Sequence, residues 1–396
     1  MVKNVIVFII VTVVVLLIPG CSGTEIVKEP KSATFVINNE IFDASYEKVR
    51  EWFFFDDSSK REGVLIEEVS NIEEGLLPIS YILPKEITPT STVSGNQDMC
   101  YYPAIYERGM DESIKGVFAY DLKSNAIFEI VRTERSEESI NYCRWSDDII
   151  FYGKTFESEG ISEWSLHALN IKTGKCSEVD NSSNYEKTIM IPTFETYNGI
   201  LAYLVGEEFE GNYHFYVNVY DGHENKNIFH IENNVETPYM SPYIDETQIA
   251  FPNYFEDGWY MMIYDFDTDK IQYAKMRFLS EGEYPQIFHI IGSKIIYGSN
   301  FRVLYLVDME NNEFKVVHYG GGSIEKSAYL ANAVYYIANG SLWKFNLDTM
   351  EKTVLKKHVA FADDLYFLRL TKNETGIYIS LENETGEICV MFLEDN

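Results

Sequence analysis

The sequence predicts an all-β chain, a β-propeller of four-stranded antiparallel blades, on three observations. The first is a repeat. An apolar residue followed by Asp or Asn and a short polar turn recurs at Tyr120-Asp121, Leu169-Asn170, Tyr220-Asp221, Tyr264-Asp265, Val307-Asp308 and Phe345-Asn346. The steps between the Asp or Asn positions are 49, 51, 44, 43 and 38 residues. Self-similarity at about 40–50 residues in a strand-rich chain means one unit per blade. The second is composition: 29 Tyr, 25 Phe and many Val/Ile runs are strand formers. The third is size, since 396 residues hold one large all-β domain and an N-terminal extension.

The repeat has a simple local cause. Asp or Asn at a strand end bonds backbone N–H groups two residues on and nucleates the turn. Small or polar residues next in line tolerate the left-handed angles of a hairpin. These Asp residues therefore read as turn formers rather than metal ligands.

From the N-terminus, Val5–Ile18 is an apolar run of 14 residues broken only by Thr12. It is shorter than the roughly 20 residues of a membrane span and suits the h-region of a signal peptide. Ile18-Pro19-Gly20-Cys21 follows and resembles a bacterial lipobox, with Ile18 and Pro19 departing from the preferred Leu and Ala or Ser. The resemblance implies cleavage after residue 20 and a lipid on the Cys21 sulfur. The chain is then expected outside the cytoplasm, lipid-anchored to the bacterial cell membrane. Residues 21–31 read as a polar tether.

Residues 32–97 form an extension without a clear period. Ala33–Asn38 reads as a strand, residues 44–55 suit a helix or a strand, and Glu67, Glu68, Glu73 and Glu74 a solvated surface. Pro78, Pro84 and Pro89 favour extended, irregular chain.

Residues 98–396 carry the propeller. Seven blades are expected, with six or eight open because the first blade's inner strand is unclear. The last would hold Leu365–Thr371, Gly376–Leu381 and Ile388–Leu393 and lack an outermost strand. Unpaired edges are a liability, so Ala33–Asn38 is expected to supply the missing strand and close the ring.

Ser241-Pro242-Tyr-Ile-Asp245-Glu-Thr-Gln-Ile249-Ala250-Phe251, followed by Ile263-Tyr264-Asp265, resembles the repeat of TolB-type, WD40-like propellers. Arg144-Trp145-Ser146-Asp147-Asp148-Ile149-Ile150-Phe151 is a second copy without Pro and Gly. The resemblance spans about residues 98–396. It implies a propeller that docks protein partners, while propellers as a class serve many roles.

A net charge of −30 argues against nucleic acid, whose phosphates demand Lys and Arg. The connections Tyr106–Lys115, Phe156–Trp164, Glu207–Tyr213 and Tyr254–Trp259 read as long acidic, aromatic loops, against short ones at Gly298–Arg302 and Ala338–Ser341. Such a lopsided rim suits a sugar by stacking or a cationic peptide by charge. The candidate ligand-binding residues are Trp164, Glu207, Phe209, Glu210, Tyr213, Phe255, Asp257 and Trp259.

No catalytic set stands out. The seven His include no His-Glu-x-x-His pair and no zinc spacing with Cys. A Gly-x-Ser-x-Gly elbow, a Walker loop and a dinucleotide fingerprint are all missing, and no motif calls for a cofactor or metal. After lipidation Cys100, Cys143, Cys176 and Cys389 remain and read as free thiols, with a Cys100–Cys143 pair open. The expected function is a surface-anchored propeller that binds a protein or ligand. The alternative is a glycan-binding or glycan-cleaving propeller of the lyase or glycosidase kind. That alternative needs titratable groups in the central channel around inner-strand positions such as Tyr142, Arg144 and Tyr239.

Overall fold

The computed structural model describes residues 33–37, 40–44, 47–48, 64–65, 81–83 and most of the chain from 87 onward. In that later part the description leaves out 92, 108–112, 134, 136, 159–160, 234–240, 256–257, 277–283, 300–302, 309–312, 320–323, 325–326, 339–340, 357–368, 374–375, 383–387 and 395–396.

Apart from a 3-10 turn at Ser182–Asn184, the described regular structure is all strand. The extension contributes β1 (Ala33–Ile37), β2 (Glu40–Ala44), β3 (Glu47–Lys48), β4 (Val64–Leu65) and β5 (Tyr81–Ile82). The first blade is β6 (Ile87–Pro89), β7 (Ser94–Gly95), β8 (Met99–Glu107), β9 (Ser113–Asp121) and β10 (Ile127–Arg132). Its inner strand is broken in two, and both β6 and β7 pair with β8. The second is β11 (Glu138–Ser146), β12 (Ile149–Ser158), β13 (Ile161–Asn170) and β14 (Cys176–Asn181). The third is β15 (Thr193–Tyr197), β16 (Ile200–Phe209), β17 (Asn212–Tyr220) and β18 (Asn225–Asn233). The fourth is β19 (Tyr243–Ile244), β20 (Gln248–Phe255), β21 (Gly258–Asp265) and β22 (Lys270–Lys275). The fifth is β23 (Pro285–Ile291), β24 (Lys294–Ser299), β25 (Val303–Asp308) and β26 (Glu313–Tyr319). The sixth is β27 (Ser327–Leu330), β28 (Ala333–Ala338), β29 (Ser341–Asn346) and β30 (Lys352–Lys356). The last strands are β31 (Arg369–Asn373), β32 (Gly376–Glu382) and β33 (Ile388–Glu394).

Among the described residues, six blades are therefore built from consecutive strands, one for each Asp or Asn of the sequence repeat. The expected seventh blade of the same kind is not what the chain builds. β31, β32 and β33 form a sheet completed by β5, which pairs antiparallel with β33. The closing strand is also not Ala33–Asn38. β1 pairs with β2 in a separate hairpin and lies against β18 of the third blade. Ring closure thus uses the extension, but its part just before β6, where the chain already stands beside the first blade.

The rest of the extension adds to outer edges. β3 pairs parallel with β22 of the fourth blade, and β4 pairs parallel with β26 of the fifth. Residues 44–55, expected as a helix or a strand, show β3 and the last residue of β2 within the described residues.

Each blade is packed on both faces, so its middle strands read as apolar runs rather than alternating ones. Val303–Asp308 is buried throughout. The cores follow one another round the ring. One joins first and second blades through Val117, Trp145 and Tyr152, and another joins second and third through Phe151, Trp164, Phe194 and Tyr203. The series ends with Tyr378 and Val390 packed on Cys100, Tyr102 and Phe118 of the first blade. There the Tyr378 hydroxyl also donates to the Asn96 carbonyl.

Tight hairpins set the register. Asp147 and Asp148 take φ of 45° and 64°, and Ala331 and Asn332 take 46° and 57°. Positive φ at both central residues is the type I′ geometry whose twist matches the flanking strands. At the outer hairpins the Asp121 carboxylate accepts from the N–H groups of Lys123 and Ser124, and Asn170 Oδ1 from those of Lys172 and Thr173. Among the described residues no helix is long and apolar enough to cross a membrane, and Val5–Ile18 and Cys21 lie outside them.

Candidate functional site

The second and third blades carry the longest arms. β12, β13 and β16 are ten residues each, against six for β24, β25, β28 and β29. The rim is lopsided, but by strand extension. Much of Phe156–Trp164 and Glu207–Tyr213, expected as loops, is ladder. Phe209 pairs with Asn212 across a two-residue turn, with Glu210 at φ 51° and Gly211 at φ 85°. Continuing the ladder satisfies backbone groups that a loop would leave to water.

An open cleft of about 1110 Å³ lies at the end of these arms. Its lining divides by strand alternation. Thr155 stands opposite Trp164 on the face turned to the third blade, and Lys154 opposite Ser165 on the face turned to the first. The cleft charges balance, with Arg135, Lys154 and Lys187 against Glu138, Glu163 and Glu186. That sets it apart from a chain at −30. On the first-blade side the Arg135 guanidinium lies 5.2 Å over the Phe156 ring.

The third-blade wall is the more elaborate. Asp180 of β14 is buried and accepts from the Tyr185 hydroxyl and the Tyr203 hydroxyl, each at 2.8 Å. It also accepts from Asn184 Nδ2 at 2.7 Å. Tyr203 belongs to β16, so one carboxylate ties the two blades. Burial, reinforced by Asp180, pushes both phenols well above their ordinary range. The Tyr185 ring packs on Trp164 at 5.7 Å and on Tyr216 at 5.6 Å.

Deeper along this wall, Glu207 accepts from the Tyr216 hydroxyl at 2.5 Å and from the Glu186 N–H at 2.9 Å. Tyr216 stacks on His230 at 4.6 Å, and His230 Nε2 lies 3.0 Å from His214 Nδ1. Residues 187–189 ride on β16: Ile189 N–H donates to the Gly206 carbonyl, and Glu208 N–H to that of Lys187. A Cβ on Gly206 would stand 3.0 Å from both Ile189 and Phe215, so glycine is what lets the wall approach.

Toward the axis, Arg144 of β11 and Glu195 of β15 pair through two hydrogen bonds of 3.0 and 3.1 Å. Ser146 Oγ accepts from Gly199 N–H, as Ser94 Oγ does from Trp145 N–H one blade earlier.

The candidate residues divide into two groups. Trp164 lines the cleft and is 4% exposed, and its Nε1 has no hydrogen-bond partner among the described residues. Glu207 is buried behind the wall, with Phe209 exposed, Glu210 in the turn and Tyr213 half-buried further out. Phe255 and Trp259 stand away on the fourth blade. Trp259 is buried in the core between fourth and fifth blades, touching Tyr254 and Tyr284 by ring edges, so it presents no open stacking face. Asp257 and Tyr239 lie outside the described residues. Tyr142 and Arg144 turn toward the third blade, where Glu195 occupies the guanidinium. The sequence does not single out Tyr185, which lies in a stretch without strand period, or Asp180, Tyr216 and His230, which sit on strands as ordinary polar or aromatic residues.

Cys100 and Cys143 are free and buried, and burial pushes the Cys143 thiol up to about 12. Cys176 is free and exposed, with its sulfur 3.3 Å from the Tyr152 hydroxyl. Among the described residues no cluster of three or more His, Cys, Asp or Glu side chains is placed to hold a metal.

The sequence matches no protein-family model and no curated protein. Solved structures do resemble the fold. An oligogalacturonate lyase from Vibrio parahaemolyticus aligns over 84% of this chain and 98% of its own, at 12% identity and a TM-score of 0.54. An oligogalacturonate lyase in complex with manganese covers 84% and 97%, at 13% identity and 0.53. The β-propeller domain of the trilobed protease from Pyrococcus furiosus covers 80% and 97%, at 10% identity and 0.50. The chain is a β-propeller. At such identities the likeness to these TolB-like and WD40-like propellers is one of fold alone.

Proposed function

We propose that this propeller is an extracytoplasmic lipoprotein, held at a bacterial cell membrane by a lipid on Cys21, that binds a protein or ligand at the cleft between its second and third blades. The cleft carries this reading. Its third-blade wall is aromatic, its charges are balanced, and it rests on groups already fixed by buried bonds to Asp180 and Glu207. A site held rigid in advance loses little further freedom on binding. Net charge elsewhere repels anionic partners and leaves neutral or cationic ones.

A thermal-shift screen of residues 32–396 against glycans, cell-wall fragments and cationic peptides tests the binding. A ligand that binds only the folded state raises the melting temperature. The expected hit is lost on Tyr185→Ala and kept on Trp259→Phe. The reverse pattern overturns the cleft as the site, and no hit across the panel favours a protein partner, sought by crosslinking on the intact cell surface. Separately, Cys21→Ser is expected to release the protein from the membrane fraction.

A second reading is supported by the two lyase neighbours together with the aromatic wall: a propeller that binds or cleaves glycans. Incubation with oligogalacturonate and release of an unsaturated product would favour it over simple binding.

A further inference from the structure

The first-blade side of the cleft holds a hydroxyl and an imidazole in direct contact. Ser165 and His167 alternate with buried Trp164 and Leu166 along β13, so both turn to one face. Ser165 Oγ lies 2.8 Å from His167 Nε2. Ser165 lines the cleft, and so does Lys154, which stands opposite it on β12. Tyr152, opposite His167 on the same strand, stacks on the imidazole at 5.0 Å and 14° and fixes the plane of the ring.

The charges around the imidazole come from three strands. Lys154 is on β12, Glu178 stands opposite His167 on β14, and Glu138 belongs to β11. Burial, helped by Lys154, holds His167 below its ordinary 6.5 against the pull of the two carboxylates. The ring is therefore neutral at pH 7, the state a general base needs. A neutral imidazole keeps one acceptor nitrogen. With the proton on Nδ1, Nε2 is free to take the proton of the Ser165 hydroxyl.

We propose that Ser165 is the nucleophile, His167 its general base and Lys154 the charge that offsets the oxyanion, in hydrolysis of a carboxylic ester held in the cleft. This rests on the cleft being a site that ligands enter, and adds a reaction to it. Ser165 Oγ bonds to the carbonyl carbon as its proton passes to His167 Nε2. The alcohol leaves with that proton, and the acyl group stays on Ser165. Water then attacks the acyl carbon and gives a proton to Nε2. That proton returns to Ser165 Oγ as the acid is freed.

The probe is an alkyl fluorophosphonate carrying a fluorophore, whose fluoride a nucleophilic serine displaces, used on residues 32–396. The expected result is a label on Ser165, located by peptide mass in the parent protein. Ser165→Ala loses the label, and His167→Gln slows labelling by about a hundredfold or more. In the parent the labelling rate rises with pH through a midpoint below 6.5 and is flat above pH 7. No label on Ser165, equal labelling of His167→Gln, or a midpoint above pH 8 would each overturn the dyad. A thermal shift by a cleft ligand with no label on Ser165 keeps the binding reading and sinks the reaction. A label on Ser165 with no shift from any ligand tried supports the reaction alone.

Discussion

The Arg144 guanidinium, 1% exposed, meets the Glu195 carboxylate across the seam between the second and third blades in a two-pronged pair. Arg144 Nη1 adds a bond of 2.9 Å to the Cys143 carbonyl, and the cation lies 5.5 Å from the Tyr142 ring. The seam that supports the cleft is thus locked near the axis by charge and further out by Asp180. Removing one partner of a buried pair strands the other, at a cost of about 3–5 kcal/mol. Glu195→Ala is expected to cost at least about 3 kcal/mol, because the Arg144 cation left behind is buried. Urea unfolding of residues 32–396 measures it. A change below about 1 kcal/mol would mean that the pair does not hold the seam.

Asp180 is the outer lock. Asp180→Ala leaves the hydroxyls of Tyr185 and Tyr203 without their acceptor, and each buried group so stranded costs about 1–3 kcal/mol. The expected outcome is lower stability together with loss of any cleft ligand. Asp180→Asn, which keeps one acceptor oxygen, should fall between this variant and the parent. If it matches Asp180→Ala, the charge rather than the bonding geometry is what matters.

Ring closure places the functional start of the propeller before residue 98. A chain beginning at Ser80 keeps β5, β6 and β7, and one beginning at Asp98 loses all of them and the Tyr378 bond to Asn96. The first is expected to unfold cooperatively. The second is expected to show early proteolysis at both the first and last sheets. Equal protease resistance of the two would remove β5 from the closure.

Alkali should weaken the fold before any backbone chemistry. Burial lifts the Tyr101 phenol from 10.0 to about 12, and the Cys143 thiol from 9.0 to about 12. Above these ordinary values the unfolded chain releases protons that the folded chain retains. The contribution is therefore whole below about pH 9 and is lost as pH climbs toward 12. Urea midpoints at pH 8, 10 and 11 are expected to fall in that order. A midpoint unchanged from pH 8 to pH 11 contradicts the burial of these groups.

The blade repeat was legible because each copy is a local event. Asp121, Asn170, Asp221, Asp265 and Asn346 each fold their own turn through a side-chain oxygen, with no help from distant chain. Strand placement within the repeat followed from the same signal. The pairings of β3, β4 and β5 were not legible, since two-residue strands have no period and their partners lie hundreds of residues away. That is why Ala33–Asn38, a better strand by composition, was expected to close the ring. The cleft was half visible. Trp164 and Glu207 stood out as aromatic and acidic, while Tyr185 and His230 acquire a role only from neighbours on other strands. Trp259 shows the opposite case, an aromatic beside an acidic stretch that serves the core.

The short additions β3, β4 and β5 meet the fourth blade, the fifth blade and the closing sheet in chain order. A pull on the N-terminal side would load these contacts one after another, in series. Each contact is only two residues long, and the seal of the ring stands last in that order. Under such a load the extension would let go of the fourth blade first and of the closing sheet last.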